Sequence, residues 1–193
     1  MKRIVCALML AASGAAIAYP GMQQQMVQPA SSVDLIRQLP HPFAIDVVPF
    51  EDANGKAVDF SQYQGKVVMV NMWATWCPPC VREIPALERL KAKMDPKDFA
   101  FLPISIDAGG KAEVDAFLKA KGMEDFGSFF DAPQNLRQVF PLDTIPATFI
   151  LNREGQLVAF VRSFVDWDDP KAEALLKGII EAPLAAPAVK AAK

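Results

Sequence analysis

The stretch KVVMVNMWATWCPPCVREIPALERL, Lys66 to Leu90, carries three signals in succession. Residues 66–73 are a near-continuous apolar run of strand length, as expected of a buried strand in a parallel setting. Apolar residues at 84, 87, 90 and 94 then mark one face of a helix, with Arg82, Glu88, Arg89 and Lys91 elsewhere on it. Between strand and helix stand Cys77 and Cys80, separated by Pro78 and Pro79. Two prolines cannot continue a strand, but a helix tolerates them in its first turn, where their missing N–H groups would be unpaired anyway. Cys77 is thereby placed at or just before a helix N-terminus. The free N–H groups and the positive end of the helix dipole there favour thiolate over thiol. A thiolate is the attacking species in thiol–disulfide exchange, and Cys80, one turn further on and more covered, is positioned to resolve the mixed disulfide that forms.

The rest of the chain alternates around this segment. FAIDVVPFED followed by ANGKAVDF reads as a hairpin turning at Asn54-Gly55. FAFLPISID is a second buried strand, in which Pro103 removes one ladder donor and predicts a bulge or an unpaired position. KAEVDAFLKAKGM is an amphipathic helix stopped by Gly122, and ATFILNREGQLVAFV is a strand, a turn at 152–155 and a returning strand. Residues 170–181 form a last helix with Pro170 in its first turn. The order predicts an α/β fold, a mixed sheet with helices on both faces.

The N-terminus predicts the compartment. Lys2 and Arg3 precede an uncharged apolar run from Ile4 to Ile17, closed by Ala16-Ile17-Ala18, the pattern of a secretory signal peptide over residues 1–18. That run is shorter than the roughly 20 residues a membrane-spanning helix needs, so cleavage rather than anchoring is expected. Without it, Cys77 and Cys80 are the remaining cysteines, Cys6 being within the signal, and the formal net charge moves from -2 to -4 with the loss of Lys2 and Arg3. A mildly acidic chain without a basic block has no electrostatic footprint for nucleic acid. Residues 19–40 and 182–193, rich in Gln, Ala and Pro, are expected as flexible segments flanking a domain at 41–181.

Two sulfurs can also serve as a staple, a metal site or a peroxidase pair. A structural disulfide closing so short a loop restrains little of the unfolded chain. A four-ligand zinc site cannot be assembled in one chain from two cysteines and one histidine, His41, expected on a surface loop between Pro40 and Pro42. A dithiol can bind Cu(I), which keeps a copper chaperone or assembly module as the alternative to a redox enzyme. A peroxidase lacks a second-site cysteine for resolution.

The segment VNMWATWCPPCVREIPALERL resembles the active-site region of the TlpA/ResA-like thioredoxins, and Ile145-Pro146 supplies their second signature. The resemblance spans roughly residues 41–181. It implies a thioredoxin fold with an N-terminal β-hairpin and an inserted helix and strand near 111–131. It implies Cys77 and Cys80 as the catalytic pair, with no cofactor beyond their own disulfide. A cis proline at 146 would face them, and Trp76, Pro78, Pro79, Ile145 and Pro146 would shape a substrate groove. Cytosolic thioredoxins carry a buried aspartate where this chain has Asn71, which raises Glu83, on the same helix face as Cys80, as the proton relay; a plain surface charge is the other reading. The partners implied are disulfide-containing secreted proteins, apocytochrome c among them, and a membrane thiol transporter as electron donor. A periplasmic monomeric reductase is the expectation.

Overall fold

The structure, a computed structural model, describes residues 31–183. Its strands are β1 (Arg37–Phe43), β2 (Phe50–Glu51), β3 (Ala57–Val58), β4 (Val67–Trp73), β5 (Phe99–Ser105), β6 (Phe129–Phe130), β7 (Ala147–Leu151) and β8 (Leu157–Val161). Its α-helices are α1 (Pro78–Ala92), α2 (Gly110–Lys121) and α3 (Pro170–Glu181). One sheet takes the order β1-β8-β7-β4-β5-β6-β2-β3. β4 is parallel to β5 on one side and antiparallel to β7 on the other, and all of its residues are buried, as its unbroken apolar run requires. Gly122, at φ 65, ends α2, and Gly155, at φ 75, turns β7 back into β8; both sit where a left-handed backbone favours glycine.

Strand alternation sorts the two faces. Asn71 and Trp73 of β4 point to one face, where Asn71 Nδ2 donates to Thr148 Oγ1 of β7 at 3.1 Å and the Trp73 ring meets Phe126 and Phe117 of α2. Helix α1 lies on this face too, with α3 beside it through the Lys93–Glu173 ion pair at 3.2 Å. Phe149 of β7 points the other way and stacks on Phe140, ring centroids 4.2 Å apart, while Phe140 touches Phe60. That second face is covered by two 3-10 helices, Phe60–Tyr63 and Asn135–Gln138. Helical segments therefore flank the sheet on both sides, the long ones all on the face that carries the cysteines. At the opposite end of the sheet, Arg153 donates to Gly65 O, Asp98 Oδ1 and Ile180 O, tying the β7–β8 turn to three other segments.

Several expectations need correction. Pro103 causes no bulge, for β5 runs in unbroken register with β4. Its carbonyl accepts from Ser128 Oγ at 3.2 Å, so its backbone faces the β6 side, where pairing begins only at Ile104 and no N–H is called for. The hairpin at Gly55 is present as β2 and β3, but its arms are two residues each, and Phe43 belongs to β1. Ordered structure also starts ahead of residue 41. Ser31 caps a 3-10 helix, Ser32–Leu35, which is fastened to the start of α3 by Ser31–Asp169, Ser32–Asp166 and Lys171–Asp34 contacts. His41 lies on β1 rather than in a loop, and it is exposed; Pro40 and Pro42 are tolerated because β1 is an edge strand with a register shift. The expected signal peptide at residues 1–18, residues 19–30 and residues 184–193 lie outside the described residues.

Phe149 is fully buried and packs against both Phe140 and Phe160. Phe149→Ala is expected to lower the unfolding free energy by about 3–5 kcal/mol, measured by urea titration, whereas a loss under 1 kcal/mol would show that the second face is not part of the core.

Candidate active site

Three strand ends meet at one end of the sheet. Trp73, the last residue of β4, pairs with Ser105, the last of β5, and Met72 pairs with Ala147, the first of β7. Residues 74–77, 105–107 and 145–146 therefore leave the sheet side by side. The loop to the cysteines is held by a buried carboxylate: Asp107 accepts from Thr75 N at 3.0 Å, Thr75 Oγ1 at 2.7 Å and Ser105 Oγ at 2.7 Å.

From this loop the chain turns into α1. Cys77 is its N-cap, in extended conformation, with Pro78 and Pro79 in the first turn. The Cys77 Sγ accepts the backbone N–H of Cys80 at 3.3 Å, so the sulfur takes the place that a serine or aspartate oxygen fills at other helix starts. The two cysteines form a disulfide, with Cα atoms 5.3 Å apart. Both sulfurs are buried, at 4 % and 1 % residue exposure, Cys80 the more covered. Pro78 is exposed and Pro79 half-buried, while Trp76 stands 61 % exposed, so it is no packed core aromatic. Phe164 is a second exposed ring, with the Arg82 guanidinium 5.6 Å from its centre. The Ile145–Pro146 bond is cis; Pro146 is buried and Ile145 half-buried.

Glu83 is buried beneath this surface, at 1 % exposure, and is not a surface charge. Its Oε1 accepts from Val165 N at 2.7 Å, in the segment between β8 and α3. Burial pushes its carboxyl up to about 7, against the opposing pull of the Val165 amide, Asn71 and Trp167. Asn71 and the Trp167 indole approach the carboxyl and favour its charged form, yet neither closes a hydrogen bond onto Oε2, which has no partner among the described residues.

The structure thus brings Cys77, Cys80 and Glu83 together on the first turns of α1, and sets Ile145 and Pro146 at the end of β7, beside the strand end from which the cysteine loop departs. Three participants were missed. Asp107 was legible in principle, as a carboxylate closing the apolar run PISID beside another strand's end. Val165 acts through its backbone and Trp167 sits in an irregular segment, so neither carries a periodic signal.

A carboxyl that holds its proton more tightly folded than unfolded adds stability at low pH, present in full below its ordinary value of 4.5 and lost as pH rises through about 7. In the disulfide form, unfolding free energy is therefore expected to fall with rising pH across that window, by up to about 1.4 kcal/mol per pH unit from this group, and Glu83→Gln is expected to flatten the slope. Chemical denaturation at a series of pH values checks it; an unchanged slope in the variant would place the titration elsewhere.

Comparison with known proteins gives the following. The sequence model of the Redoxin family matches residues 30–176. The thiol-disulfide oxidoreductase ResA of Bacillus subtilis is 30% identical over 111 residues, 58% of this chain and 61% of that protein. ResA of Oceanobacillus iheyensis is 27% identical over 122 residues, 61% of this chain and 60% of that protein. The chain therefore spans about three fifths of the length of these relatives. Among solved structures, the pneumococcal exposed lipoprotein thioredoxin Etrx1 of Streptococcus pneumoniae is 25% identical, with a TM-score of 0.55 over 68% of this chain and 98% of that one. A thiol:disulfide interchange protein of the thioredoxin family from Chlorobium tepidum, 22% identical, shares the fold at a TM-score of 0.56 over 75% and 97%.

Proposed function

This chain belongs to the Redoxin family, and we propose that it is an exported thiol–disulfide oxidoreductase whose Cys77 and Cys80 cycle between dithiol and disulfide. Its fold is that of the thioredoxins, with the β2–β3 hairpin ahead of the active-site strand and α2 with β6 inserted after β5. The observation that carries the reading is the Cys77–Cys80 disulfide at the N-terminus of α1, with Cys77 Sγ receiving a helix N–H.

In the reducing direction, the Cys77 thiolate attacks one sulfur of a substrate disulfide. The substrate S–S bond breaks, the departing thiolate takes a proton, and a mixed disulfide joins substrate to Cys77. Cys80 then gives its proton to Glu83, and its thiolate attacks Cys77 Sγ. The second substrate sulfur leaves as thiolate and is protonated. The substrate gains two electrons and two protons, and the enzyme is left with the buried disulfide. Glu83 suits the acceptor role because burial holds its affinity for a proton near neutrality, where proton transfer is most efficient.

The substrates are secreted proteins with disulfides, presented as extended segments. Among the described residues neither the N–H nor the C=O of Ile145 takes part in a hydrogen bond, so both are available to pair with a passing strand. Trp76 and Phe164 add exposed aromatic surface around the sulfurs. The signal-peptide pattern of residues 1–18 supports a periplasmic location, where a membrane thiol transporter would restore the dithiol, and an apocytochrome c with oxidised haem-binding cysteines is one substrate of the right chemistry.

Cys80→Ser is expected to accumulate the mixed disulfide on Cys77, recoverable on non-reducing gels and identifiable by mass spectrometry, while Cys77→Ser accumulates none. The reverse pattern would exchange the two roles. Because two prolines bring neither charge nor N–H to the thiolate, the couple is expected to be reducing, lying well below that of a disulfide-forming catalyst such as DsbA at about −120 mV. Equilibration against glutathione buffers measures it, and a potential near the DsbA value would overturn the reductase direction.

A further inference from the structure

We propose that Trp167 is a positioning residue for proton transfer at Glu83, its indole N–H closing onto Glu83 Oε2 when that oxygen is ionised and releasing it when the proton arrives. The proposal rests on the relay reading of Glu83 given above.

Two buried side-chain atoms among the described residues lack a hydrogen-bond partner: Glu83 Oε2 and Trp167 Nε1. Buried polar atoms are ordinarily paired. Here an acceptor and a donor are left over together, on side chains that face each other and are exposed by only 1 % and 2 %. Their positions follow from the fold. Val165 N–H grips Oε1 at 2.7 Å, and Trp167, two residues further along the same segment, approaches the same carboxyl, whose Oε2 is the oxygen left open.

One proton decides whether the pair can bond. An indole nitrogen only donates, and an ionised carboxylate only accepts, so the charged state makes the bond. With the proton on Oε2, that oxygen turns donor and accepts only weakly, so the indole bond gives way. Trp167 therefore selects the charged state and offsets part of the burial that opposes it, as the Val165 amide does from the other side.

Asn71, reaching in from β4, gives one amide N–H to Thr148 of β7 and keeps the second, so it favours the charged carboxyl alongside the indole, but its Nδ2 is not left without a partner as Trp167 Nε1 is. Cys80 lies on the same helix, bonded to Cys77. The charged neighbours Arg82 and Arg89 on α1, and Asp166 and Asp168 beside Trp167, are all exposed, and Arg89 is bonded to Asp168. The influences on Glu83 are burial and three neutral donors, with no countercharge among them. When the Cys80 proton passes to Oε2, the thiolate forms and the indole bond is given up in the same step; loss of that proton to solvent restores it.

Carbon-13 NMR of the Glu83 carboxyl in the disulfide form tests this. Trp167→Phe, which keeps an aromatic ring but removes the donor, is expected to raise the Glu83 midpoint by about one pH unit, a tenfold tighter hold on the proton. In the unaltered protein the Trp167 indole N–H signal is expected to titrate with the Glu83 midpoint, and to lose that pH dependence in Glu83→Gln. A midpoint unmoved by Trp167→Phe, or an indole signal indifferent to pH across the Glu83 titration, would overturn the proposal. If Trp167→Phe folds poorly, the indole titration of the unaltered protein decides alone. Failure of the relay reading looks different: a pH–rate profile for disulfide exchange unchanged in Glu83→Gln would remove Glu83 from the reaction while both NMR titrations still report the contact.

Discussion

A strand hydrogen-bonded to neighbours on both sides and covered on both faces has no room to shift, slide or twist. β4 is held in this way, parallel to β5, antiparallel to β7, and buried throughout. A slip of one residue would exchange the side chains of the two covered faces and take Asn71 from Thr148 and Trp73 from Phe126. The cysteine loop starts where this strand stops, so the sulfurs inherit their position from the core. Asp107 carries that rigidity two residues further, to Thr75, and the N-cap bond at Cys77 passes it to α1.

The same rigidity explains how Glu83 survives where it is. Asn71 is fixed by β4 and by Thr148, and the Val165 amide arrives from the segment between β8 and α3. A carboxyl with that little freedom and no countercharge is kept near the point of gaining or losing a proton. Its surroundings cost stability near and above neutral pH, and the return is a group that titrates in the working range of thiol chemistry.

What could be read from the chain follows the physics of each element. β4, α1 and the cysteine pair were legible because an unbroken apolar run, a 3.6-residue stripe and two prolines are local signals. The β7–β8 hairpin and α3 announced themselves through Gly155 and Pro170. The hairpin at Gly55 was legible in its turn but not in its length, since strand ends are set by neighbours rather than by propensity. For Pro103 a bulge and an unpaired position were both open, because a proline's effect depends on which neighbour its nitrogen faces, and that requires the sheet order. β1 was hidden by Pro40 and Pro42, which are compatible with a strand only at an edge. In the site, Cys77 and Cys80 were plain, while Glu83 could be placed beside Cys80 but not known to be buried. Val165 and Trp167 come to it across some 80 residues of chain, through a segment with no repeating pattern.

The margins of the sheet have a consequence for life at high concentration. An edge strand with its N–H and C=O groups free is a template on which other chains can grow, and proteins that stay soluble usually spoil that template. Here one margin is β3, only two residues long, and the other is β1, which is broken by a register shift and lacks donors at Pro40 and Pro42. Neither border offers the long, regular ladder that amyloid-like stacking requires. An extended segment of another chain thus finds no long ladder to add to along either flank.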